Sequence, residues 1–93
     1  LYDYENQAIT LEKLGNAYYC VSDYTKAIQH YSEALEISKK INNIPIQIKN
    51  NSNLGNIYNI LANYVEAEKY YNIAIGIVEK DKNNRSKSEI LRG

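Results

Sequence analysis

Small and apolar side chains recur three and four positions apart along most of this chain, the spacing that gathers them on one face of an α-helix. Leu14, Gly15 and Tyr18 share one such face, and Ala27, Tyr31 and Ala34 share another. The pattern then repeats as a whole. Laying 7–40 over 47–80 without a gap pairs identical residues at Gln7/Gln47, Leu14/Leu54, Gly15/Gly55, Asn16/Asn56, Tyr18/Tyr58, Tyr24/Tyr64, Ala27/Ala67, Tyr31/Tyr71, Ala34/Ala74, Ile37/Ile77 and Lys40/Lys80. A period of forty residues built from two helical stretches describes a helical hairpin that occurs twice.

The boundaries follow from local chemistry. Asp23 and Asn63 stand at the same place in the two copies, and a side-chain oxygen there can satisfy a free amide of a first helical turn. Asn42 and Asn43 interrupt the pattern, and Pro45 falls where its missing N–H costs nothing, in the opening turn of a new helix. The pattern predicts helices over about 3–20, 24–40, 45–61 and 64–80, with 81–84 as a polar connector. Glycine inside a helix costs about 1 kcal/mol relative to alanine, so Gly15 and Gly55 require a reason. The expected reason is close approach of the partner helix, with Ala27 and Ala34 meeting Gly15 and with Tyr18, Tyr24 and Tyr31 filling the space beside it.

Composition narrows the functions available. Eleven basic against eleven acidic residues give no net charge, so the broad attraction that carries nucleic acid or anionic membrane binding is absent, and neither is expected as a partner. With a single Cys and a single His, the chain has no material for a disulfide or a metal site, and Cys20 and His30 fall far apart by helical position. No catalytic, cofactor-binding or metal-binding residues are expected, and the chain is not expected to be an enzyme. No apolar run approaches the roughly 18 residues that span a membrane, which gives a cytoplasmic expectation. The high asparagine content makes any single asparagine weak evidence of a site.

Leu14-Gly15-Asn16-Ala17-Tyr18, followed by Tyr24-Thr25-Lys26-Ala27 and Tyr31-Ser32-Glu33-Ala34, and the same pattern again from Leu54 to Ala74, resemble the tetratricopeptide repeat (TPR). The forty-residue period resembles the longer-repeat members of that family. The resemblance implies an all-α, TPR-type α-hairpin solenoid of two full repeats, about 3–41 and 44–81, and the start of a third at about 85–93. It implies one TPR segment over 1–93, from a longer array cut inside a repeat. Leu11 and Asn51 stand where the family places an aromatic residue, and Lys39 and Glu79 where it places a closing proline.

The resemblance also implies a concave wall lined by the first helix of each repeat, where protein or peptide ligands lie. The groove-facing positions would be Ile9, Glu12, Lys13, Asn16, Tyr19 and Cys20 in the first repeat and Lys49, Ser52, Asn53, Asn56 and Asn59 in the second. Asparagine carries a donor and an acceptor, so Asn16, Asn53 and Asn56 could bond a peptide main chain without choosing its sequence. The carboxylate clamp of chaperone co-factors in the family fits only in part, because Glu12 stands where that clamp has a cation. The expected function is a non-catalytic interaction scaffold binding a peptide or protein segment; the alternative is a sensory or regulatory TPR segment of a peptide-responsive transcription regulator or histidine kinase. Apolar residues on the last hairpin suggest self-association through an uncapped C-terminal end.

Overall fold

A computed structural model describes residues 3–92, with side chains described through residue 84. Among these residues there are four helices and no strand: α1 (Tyr4–Cys20), α2 (Tyr24–Lys40), α3 (Ile44–Ile60) and α4 (Tyr64–Arg92). Each helix packs on the next in sequence, and α1 also touches α3, so the chain is a helical-hairpin solenoid. Its extents of 50 × 38 × 17 Å describe a flat, elongated slab.

One turn design joins all four helices. Ser22, Asn42 and Ala62 adopt left-handed backbone conformations with φ of 62°, 53° and 60°. Around each, two amides fold back on the preceding helix: Ser22 N–H to Tyr19 O and Asp23 N–H to Tyr18 O, Asn42 N–H to Lys39 O and Asn43 N–H to Ser38 O, and Ala62 N–H to Asn59 O and Asn63 N–H to Tyr58 O. This is a Schellman ending, which satisfies carbonyls that a helix terminus otherwise leaves without partners. The very next residue caps the following helix. Asp23 accepts from the Lys26 amide at 3.3 Å, Asn43 from Ile46 at 3.0 Å and Asn63 from Glu66 at 3.4 Å, while Asp3 does the same for Asn6 at 3.1 Å.

The fourth helix departs from the expected boundary, because α4 runs unbroken through 81–84 where a connector was expected. In the first repeat Asn42 takes the left-handed turn position and Pro45 follows inside α3; forty positions on stand Lys82 and Arg85. Lysine is a good helix former and resists a positive φ, and nothing replaces the proline, so helix propagation continues. The side chains of 85–93, expected to begin a third unit, lie outside the described residues.

The core sits between α2 and α3, where Ala27, Tyr31 and Leu35 meet Leu54 and Ile57, with Tyr18, Tyr24, Ile28 and Tyr70 packed around them. Gly15 does admit a close neighbour, but it is the Tyr31 ring rather than Ala27 or Ala34. A Cβ on Gly15 would lie 2.6 Å from two Tyr31 ring carbons, and one on Gly55 would lie 2.7 Å from the Tyr71 ring. Each aromatic ring thus rests on a bare helix backbone, and the two repeats use the same device.

Candidate functional site

The wall formed by α1 and α3 carries two adjoining clefts. The larger, 450 Å³, is lined by Glu5, Ile9, Glu12, Lys13 and Asn16 from α1, by Asn43 from the turn, and by Pro45, Ile46 and Lys49 from α3. The smaller, 180 Å³, is lined by Asn16, Tyr19, Asn53 and Asn56, with Tyr31 reaching in from α2. Asn16 borders both. Eight of the eleven expected groove residues therefore meet here, whereas Cys20, Ser52 and Asn59 line neither cleft.

The stagger between the two helices explains which residues meet. Glu12 pairs with Lys49 at 3.7 Å, and Asn43 Nδ2 donates to Glu5 Oε1 at 3.3 Å. Ile9 with Ile46, Asn16 with Asn53, and Tyr19 with Asn56 share a cleft at the same thirty-seven-residue separation as Glu12 and Lys49. Relative to the forty-residue sequence period, α3 is displaced by about one helical turn, roughly 4.5 Å, along α1. Lys49, and not Ser52 forty positions on, is therefore the residue that pairs with Glu12. The displacement also brings in Asn43, Pro45 and Ile46, for which the sequence pattern carried no signal.

Two asparagines on this wall are oriented from behind. The Tyr31 hydroxyl donates to Asn16 Oδ1 at 2.5 Å, and the Tyr71 hydroxyl donates to Asn56 Oδ1. Both pairs are fifteen residues apart, so each repeat carries the same lock. With the amide oxygen engaged, each exposed asparagine offers its Nδ2 hydrogens, which suit a ligand carbonyl or carboxylate oxygen. Burial, with the Glu12 carboxylate adding to it, pushes the Tyr31 hydroxyl up to about 12, so it remains a donor throughout the neutral range.

Charges on the wall are mixed. Glu12 is nearly buried and faces the exposed ammonium of Lys49, so its carboxylate joins the two repeats before it meets any ligand. Tyr19, partly exposed, packs edge-on against Tyr24 with ring centroids 5.9 Å apart. Away from the wall, His30 stacks on Tyr18 at 5.4 Å, as Tyr70 stacks on Tyr58 at 5.6 Å. Cys20 is an exposed free thiol, and among the described residues no cluster of His, Cys, Asp and Glu could hold a metal ion.

Residues 8–41 match the family model described as tetratricopeptide repeat. The chain carries a TPR. Repeats of this family mediate protein–protein interactions and are generally not catalytic. The second hairpin sets the residues of the matched TPR forty positions further on, with the same ring on glycine and the same tyrosine–asparagine bond. No curated protein and no solved structure matches the chain. Among the described residues no helix is long and apolar enough to cross a membrane.

Proposed function

We propose that this TPR segment is a non-catalytic scaffold that binds an extended peptide segment of a partner protein along the α1·α3 wall. One observation carries the reading: two clefts meet at Asn16, so α1 and α3 together present a continuous trough with amide donors at Asn16 and Asn56 and room beside Tyr19. Donors held outward suit the carbonyl oxygens of a peptide main chain, and Ile9 and Ile46 supply an apolar floor for one side chain. The helices exist before the ligand arrives, so little ordering accompanies binding.

The test begins with selection from a displayed library of random peptides. The selected peptide is then titrated calorimetrically against the wild-type chain and against Asn16→Ala, Asn53→Ala and Asn56→Ala. Each lost hydrogen bond is expected to weaken binding by about 0.5–1.5 kcal/mol. Asn53→Ala is the cleanest of the three because it leaves the two tyrosine–asparagine bonds in place. Undiminished binding by the triple variant would place the ligand elsewhere and end this reading.

A further inference from the structure

The asparagine donors of the wall recur in both repeats, whereas its nearly buried carboxylate does not. Asn16 and Asn56 are held alike by Tyr31 and Tyr71, so they grip a main chain at either place without setting its register. Forty positions after Glu12 stands Ser52. The Glu12 side chain is only 11% exposed, and it lines the larger cleft together with Ile9, Pro45 and Ile46. Lys49 Nζ lies 3.7 Å from Glu12 Oε1, an ion pair too long for a hydrogen bond, and among the described residues no group donates a hydrogen bond to this carboxylate. The Lys49 side chain is 67% exposed. Glu5, held by Asn43, adds a second carboxylate at the rim.

We propose that the larger cleft takes one arginine side chain of the bound peptide, its guanidinium seated on the Glu12 carboxylate, and that this contact fixes where along the trough the peptide lies. The inference rests on the peptide-binding reading of the α1·α3 wall. Charge and burial together choose the occupant. Lys13 and Lys49 stand in water, where screening and side-chain motion weaken their attraction for a ligand anion. Glu12 has already lost most of its hydration on folding, so a cation that reaches it meets a charge in a low-dielectric pocket and displaces little further water from the protein. A guanidinium presents two parallel N–H groups that engage both carboxylate oxygens at once. Arginine is also more weakly hydrated than lysine, so it tolerates the apolar company of Ile9, Pro45 and Ile46. Glu12 precedes Asn16 by four residues, roughly 6 Å along α1. A peptide residue whose carbonyl accepts from Asn16 therefore has its long side chain within reach of Glu12.

Peptides selected from a displayed random library on the wild-type chain and, separately, on Glu12→Gln test the proposal. Selection on the wild-type chain is expected to enrich arginine at one position, and selection on Glu12→Gln is expected to lose that enrichment. Replacing the enriched arginine by citrulline, its uncharged isostere, should weaken binding to the wild-type chain about ten- to a hundredfold in fluorescence anisotropy and should change binding to Glu12→Gln little. Helical circular dichroism checks folding. If Glu12→Gln loses helix, the exchange of Glu12→Lys with Lys49→Glu replaces it; this keeps the pair but moves the carboxylate to the exposed position, and it is expected to lose arginine selection as well. Selected peptides that depend on Asn16, Asn53 and Asn56 but show no arginine preference, accept lysine equally or favour acidic residues would overturn this inference while the peptide-binding reading stands. Undiminished binding by the triple asparagine variant would end both.

Discussion

The ring of Tyr31 lies on the bare backbone of Gly15, so close that a Cβ there would come within 2.6 Å of two ring carbons. That ring is anchored at its far end on Asn16 and on its other side by the α3 core, and it has little freedom to move aside. Gly15→Ala should therefore destabilise the fold by roughly 1–3 kcal/mol despite alanine's better helix propensity. Gly76 supplies the control, since a Cβ there meets nothing within 4 Å. Gly76→Ala should stabilise by about 1 kcal/mol. Thermal melts of the two variants that move in the same direction would contradict the packing account.

The turns predict a stabilising change. Ala62 holds a left-handed φ of 60° that a side chain with a Cβ disfavours by about 1–2 kcal/mol. Glycine removes that strain but loses some ground through a more flexible unfolded chain. Ala62→Gly should gain about 0.5–1 kcal/mol in urea denaturation. Asn42→Gly should gain less, because asparagine tolerates this conformation better than alanine.

Asn51 is 1% exposed, and its amide nitrogen donates back to the Gln47 carbonyl while Oδ1 has no hydrogen-bond partner. The equivalent position in the first repeat is Leu11. Asn51→Leu removes an unsatisfied buried carbonyl and adds apolar burial, so it should stabilise by about 1–3 kcal/mol. A lower denaturation midpoint in this variant would show that the amide contributes more than its one bond suggests.

Alkaline pH should weaken the fold through Tyr31. Its hydroxyl is pushed up from the ordinary 10.0 to about 12 in the folded chain, chiefly by burial and then by Glu12. The folded state keeps the proton longer than the unfolded one, so this contribution is whole below pH 10 and is lost between about pH 10 and 12. Absorbance titration of phenolate against pH should show, beside the step of Tyr58, which burial also pushes up, a late step from Tyr31 together with unfolding. Tyr31→Phe should remove that late step.

The forty-residue identity placed both hairpins, three of the four helices to within a residue, and the capping roles of Asp23 and Asn63, because caps and helical spacing are local properties. It named Gly15 as a contact but not its partner: recurrence marks which positions matter, whereas the Tyr31 ring reaches Gly15 only through the crossing of α1 and α2. The continuation of α4 was hidden because 81–84 is polar, and polarity suits a solvated helix as well as a loop. The polarity of Asn50 and Asn51 gave no sign of burial, yet both are buried, since α3 packs against α1, α2 and α4. Of the wall, the α1 residues other than Glu5 followed from the family resemblance. The α3 residues were only half legible, because the displacement of one helix along another leaves no trace in a single strand of sequence.

Coverage of α3 from both sides makes the slab uneven in its resistance to opening. A chain stacked in one dimension loosens from its ends inward, and here α1 and α4 are the outer layers. Amide protons of α2 and α3 should be the slowest to exchange, so the segment best insulated from solvent is the one that spans the boundary between the two repeats rather than either repeat by itself.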